Sequence, residues 1–207
     1  HSVGMNPGAV MRDRMESKPA GLAAYMAHMK ELMVLARERG LQCLAIEPMS
    51  CLAEPPTLPE EIRSMAQQLM AHHSANPDTT VPVGYCVDVA HGYIDAEGVC
   101  VHEHLALLEA ALPWLWEVHL KNTDTRYADT FGFTPAERGR GIIDLQTIAG
   151  LIARNEAVLP KRDIVGYLEI GGPKLGRDYS DTQLEYQLRE SLRYCKAAWR
   201  APSKPSR

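Results

Sequence analysis

Four short apolar runs, each followed by a loop and then a helical pattern, constrain this 207-residue chain more than any other feature. The runs are "LQCLAIEPM" (41–49), "VPVGYCVDVA" (81–90), "LWEVHLK" (115–121) and "IVGYLEIGG" (164–172). They are almost continuously apolar, as strands are when both faces of their sheet are covered. Strands that alternate with helices build a parallel α/β sheet, because a parallel connection needs a crossover long enough to hold a helix.

The helical patterns carry their own start and stop signals. In 18–40, Leu22, Met26, Met29, Met33 and Ala36 share one face; Ser17 is placed to cap the helix, Pro19 suits its first turn and Gly40 ends it. In 58–73, Pro59 and two acids open the helix and His72–His73 close it, matching the dipole at both ends. Further helices are expected over 101–112, from about Asp144, and over 180–199, with a long polar loop at 122–141 and a frayed tail at 200–207. No G-x-G-x-x-G follows the first strand and no G-x-x-x-x-G-K-[ST] occurs, which disfavours a dinucleotide or P-loop site.

Bulk properties exclude other classes. The net charge is −4 with acids and bases interspersed, so no basic stripe offers itself to nucleic acid. No apolar run reaches the length of about 18 residues that a membrane span needs. Five cysteines, Cys43, Cys51, Cys86, Cys100 and Cys195, form no C-x-x-C pair. Free thiols in a reducing cytoplasm are expected, with Cys43 and Cys86 buried on neighbouring strands. A chain that begins on His1 with a loop-like segment suggests that something precedes it.

The strand ends carry the chemistry. They deliver Glu47, Asp88, His119 and Glu169, one to each strand. A single strand-end acid more often caps a turn, and a lone His on an apolar strand is more often a hydrogen-bonded core residue. Four in four is a coincidence of roughly a few per cent at this composition, allowing about three positions per strand. Three carboxylates converging at one end of a parallel sheet repel one another, and a divalent cation resolves that repulsion. Carboxylates and imidazole without thiolate favour a hard or borderline ion: Mn²⁺ first, with Mg²⁺, Co²⁺ and Zn²⁺ as alternatives.

The segments "LAIEPMS", "CVDVAHG", "VHLKNTD" and "GYLEIGG" resemble the last four strands of the xylose-isomerase-like TIM barrels, the sugar and sugar-phosphate isomerases and epimerases that include the ketose 3-epimerases. The resemblance implies a (β/α)8 barrel of which residues 1–199 hold the C-terminal half, strands 5–8, with the first half cut away or supplied by another chain. It also implies that Glu47, Asp88, His119 and Glu169 are the metal ligands and that His91 contacts a substrate oxygen; Glu47 and Glu169, entering from strands on opposite sides of the metal, are the candidates to move the proton. "RGRGIID" resembles the family's Gly-x-Gly turn before the seventh helix. One departure bears on substrate. The hexulose 3-epimerases carry Gly-Glu shortly after the metal His and then an Arg on the substrate. Here the stretch reads Lys121–Asn122, and Arg126 falls one position late. Lys121, Arg126, Arg138 and Arg140 suit a phosphorylated or otherwise anionic short ketose.

The expected activity is therefore cation-dependent epimerisation or aldose–ketose isomerisation of a sugar or sugar phosphate, through an ene-diolate that the cation stabilises. The expected protein is cytoplasmic, with a homo-oligomer left open and neither nucleic acid nor membrane as partner. Two alternatives stand. A metal-dependent endonuclease-IV-like DNA repair enzyme would need a His-containing motif that loop 122–141 lacks. A non-catalytic sugar-binding barrel need hold no metal.

Overall fold

A computed structural model describes residues 15–170 and 182–200. The described chain runs α1 (Lys18–Glu38), β1 (Leu44–Ile46), α2 (Pro59–Ala75), β2 (Val83–Asp88), β3 (Tyr93–Ile94), β4 (Cys100–His102), α3 (His104–Ala111), β5 (Leu115–Leu120), α4 (Pro135–Arg140), α5 (Leu145–Arg154), β6 (Val165–Leu168) and α6 (Leu184–Arg200). The four apolar runs form one sheet in the order β1-β2-β5-β6, parallel at every pairing.

Register sorts the side chains into two faces. Leu44 pairs with Val83 and Ile46 with Tyr85. Asp88 pairs with His119, and His119 with Tyr167. Val83, Tyr85, Val87, Val118, Leu120 and Leu168 pack into the core that the helices supply through Met29, Met33, Ile62, Met65, Leu107, Leu145 and Ile148. The period of two then turns Cys86, Asp88, His119 and Tyr167 to the opposite face, with Glu47 and Glu169 just past the ends of β1 and β6. β2 is buried at every position, whereas on the edge strand β6 Val165 and Tyr167 remain exposed. Gly84 admits the Trp116 ring so closely that a Cβ there would overlap it, at the register shift between Tyr85 and Cys86.

Several boundaries differ from the sequence reading. The first run pairs only over Leu44–Ile46, and Pro48 lies beyond its last paired residue. Residues 171–172 of the last run, the N-terminal segment 1–14 and the tail 201–207 lie outside the described residues. The helix expected from 101 begins at His104, because Cys100–His102 pair antiparallel with Tyr93–Ile94. Their turn is made by Asp95, whose Oδ1 accepts from Glu97 and Val99 N–H at 3.1 and 2.8 Å, and by Gly98 at φ 82. The loop 122–141 contains α4, started by Thr134 and Glu137: the Glu137 carboxylate accepts from Thr134 N–H at 2.9 Å. Ser17 precedes α1 with helical dihedrals and makes no side-chain cap bond, because its backbone is already in a 3-10 turn. Cys43 is half-buried one residue before β1 rather than buried on it; Cys86 is buried on β2, and both are free thiols. No helix of the described residues is long and apolar enough to cross a membrane.

Candidate metal centre

At the C-terminal ends of the four parallel strands, Glu47, Asp88, His119 and Glu169 each bring one potential ligand atom within 4.8 Å of the others. Neighbouring strands lie about 4.8 Å apart, so β1 and β6 stand three spacings apart in this order, and only converging side chains bring Glu47 and Glu169 to one point. His119 Nδ1 lies 3.2 Å from Glu47 Oε1 and 2.8 Å from Glu169 Oε2, so one imidazole nitrogen faces a glutamate from each edge of the sheet.

Asp88 is fully buried. Its Oδ1 accepts from Ala90 N–H at 2.9 Å, which fixes the carboxylate plane at the tip of β2. Its Oδ2 meets the Lys121 ammonium in a direct ion pair and His91 Nε2 at 3.2 Å. Lys121 and His91 thus both face that oxygen. A fully buried carboxylate that meets two glutamates and an imidazole makes a donor set that a divalent cation fits. Lys121 is itself buried and lies 3.9 Å from Glu169 Oε1.

Charge follows this geometry. Contacts with the Cys86 sulfur, Glu169 and Glu47 push His119 up to about 12, against a smaller opposing effect of burial. The His119 hydrogen bond holds Glu169 down to about 2. Burial pushes the Glu47 carboxyl up, but the hydrogen bond and charge of His119 outweigh it and leave it below the ordinary value. Burial likewise favours neutral Lys121, yet the charges of Asp88, Glu169 and Glu47 keep it above the ordinary lysine range. Three carboxylates are thus balanced by a protonated imidazole and an ammonium. A divalent ion would take over that role once His119 gives up its proton, and this donor set fits one.

The structure gathers His91 and Lys121 at this cluster: His91 Nδ1 donates to Pro48 O at 2.8 Å, and its Nε2 lies 3.3 Å from Lys121 Nζ. Arg126 is exposed, Arg138 stacks 4.4 Å over the Tyr194 ring, and Arg140 stacks 3.7 Å over Phe131 while pairing with Asp129 at 3.3 Å.

Two participants escaped the sequence reading. Cys86 touches His119, and burial raises its thiol, keeping it protonated beside the cluster. The signal was available, since Cys86 precedes Asp88 by two positions and shares its face. Asn122 is fully buried, and its Oδ1 accepts from Thr123 and Ile143 N–H at 3.0 Å each, tying both ends of the long loop to the tip of β5. Gly141 makes room for that amide.

No family model matches the sequence, and no curated protein matches it. Among solved structures, the chain is similar to a protein described as a "Putative Xylose isomerase" from Rhodospirillum rubrum ATCC 11170, with a TM-score of 0.64 and 20% identity over 92% of this chain. The fold is that of a xylose-isomerase-like TIM barrel. The chain spans 58% of the length of that protein, so the parallel sheet is a partial barrel. In a barrel the C-terminal strand ends form the active-site mouth, which is where the four candidate ligands stand.

Proposed function

We propose that this protein is a divalent-metal-dependent sugar epimerase or aldose–ketose isomerase acting on a ketose or short ketose phosphate. One observation carries the reading: Glu47 and Glu169 arrive from opposite edges of the sheet and face the same His119 nitrogen, with Asp88 between them on the central strands.

Glu47, Asp88, His119 and Glu169 are the residues that would hold the cation. When bound, the cation would polarise the substrate carbonyl and its neighbouring hydroxyl. The protein's own groups do the rest. Both glutamates are ionised at neutral pH and so able to accept a proton from the carbon beside the carbonyl. If one takes the proton and the other returns it on the opposite face, the centre inverts. If one glutamate carries it between adjacent carbons on one face, the product is the aldose. His91 and Lys121 stand together where a substrate oxygen gaining charge would be stabilised. Lys121, one of the four expected anion contacts, lies in this cluster and supports an anionic substrate.

The test is exchange of the C–H proton beside the carbonyl of D-fructose and of dihydroxyacetone phosphate in deuterated water, with Mn²⁺ added and removed. Mn²⁺-dependent deuterium incorporation into either supports the reading. Tight Mn²⁺ binding without exchange in any ketose or ketose phosphate tried would favour a binding barrel instead.

A further inference from the structure

Tyr127 has the one positive φ among the described non-glycine residues, at 54°. A tyrosine in the left-handed region is strained, and such strain persists only where the surroundings fix it. Here they do. Tyr127 N–H donates to Asp124 O at 3.1 Å, and Asp124 Oδ1 accepts from Arg126 and Ala128 N–H at 3.0 Å each.

The ring that this turn projects lies directly on the backbone of Gly92, where a Cβ would overlap it. The phenol oxygen reaches His104 Nδ1 at 3.5 Å, and the two rings stand 6.2 Å apart. One side chain on the loop after β5 thereby clamps the segment after β2 and the start of α3. The residue before Gly92 is His91. Its Nδ1 must carry the proton, because its partner, the Pro48 carbonyl, can only accept. Its Nε2 is then directed between Asp88 and Lys121.

We propose that Tyr127 is a positioning residue: its strained backbone presses the ring onto Gly92 and so holds His91 Nδ1 on the Pro48 carbonyl and aims its Nε2. This rests on the reading above only in holding that a substrate oxygen docks at His91. Tyr127, Gly92 and His104 are not among the four candidate ligands, so a variant in the clamp removes no ligand atom.

The test uses the full-length protein, labelled with ¹⁵N-histidine and loaded with Mg²⁺, at one fixed pH. In long-range ¹H–¹⁵N spectra the wild type and Tyr127→Phe, which keeps the ring, should show His91 as a single Nδ1–H tautomer. Tyr127→Gly, which suits φ 54° better than tyrosine, should fold and bind Mg²⁺ equally, yet show a mixture of tautomers. Gly92→Ala displaces the same ring and should do the same; it decides alone if Tyr127→Gly fails to fold. Where D-fructose or dihydroxyacetone phosphate exchanges its proton, KM should rise about tenfold in both ring-displacing variants and less than about twofold in Tyr127→Phe. A single unchanged His91 tautomer in Gly92→Ala overturns the inference even if exchange proceeds. Absence of exchange in the wild type, with the tautomer mixture present in the variants, overturns the proposed activity and leaves the clamp standing.

Discussion

The two central strands and the two edge strands supply the same kind of ligand under different conditions. Asp88 and His119 leave β2 and β5, adjacent in register and gripped on both sides by neighbouring strands. Glu47 and Glu169 leave β1 and β6, each supported by a strand on one side only among the described residues, and the Glu169 side chain is 45% exposed where Asp88 is fully buried. A ligand that must hold a cation gains from rigidity. A base that must take a proton and return it gains from freedom to move. The proposed function therefore assigns cation capture to the central pair and proton transfer to the flanking pair.

That contrast breaks most visibly at Asp88. Asp88→Asn removes charge from the buried ligand and leaves the Lys121 ammonium without its closest partner. Mn²⁺ affinity should fall about a hundredfold or more by calorimetry. The metal-free protein should lose about 3 kcal/mol in urea unfolding, as breaking a buried ion pair does. Glu169→Gln should cost about tenfold in Mn²⁺ affinity and less than about 1 kcal/mol of stability, because the Glu169 side chain itself is half exposed. Equal losses at the two positions would erase the distinction.

The pH dependence of the metal-free protein sharpens it. Glu169 sits at about 2 in the folded state against an ordinary 4.5, so its contribution is present above 4.5 and is lost as pH falls toward 2. His119 sits at about 12 against an ordinary 6.5, so its contribution is complete below 6.5 and is lost as pH rises toward 12. Their pairing stabilises most between those two ordinary values. Melting temperature should peak there, by a margin that solvent screening keeps small. His119→Asn should flatten the peak. The smallest effect belongs to Arg140, which pairs with Asp129 at the surface. Arg140→Ala should change stability by no more than about 0.5 kcal/mol and leave Mn²⁺ binding unchanged.

The fold was legible because apolar runs and helical periods are local signals. β2 and β5 match their runs closely, with every residue of β2 buried. The clustering of the four candidate ligands was legible for the same reason, since parallel strands place their ends on one side of the sheet without any need to know the loops. What escaped was decided by contacts distant in sequence. The β3–β4 ribbon exists through pairing rather than propensity, and α4 hides in a polar stretch whose only signal is the capping sequence Thr134 to Glu137. Charge alone gives Arg138 and Arg140 no direction; their contacts with the rings of Tyr194 and Phe131 were not legible in the sequence.

The central claim is that Glu47 transfers a proton while Asp88 holds the cation. The direct measurement is deuterium incorporation into D-fructose or dihydroxyacetone phosphate by Mn²⁺-loaded Glu47→Gln, with bound Mn²⁺ assayed on the same sample. The account predicts near-stoichiometric metal and exchange reduced by about a thousandfold or more, since an amide cannot act as the base. Exchange at the wild-type rate with metal bound would contradict it.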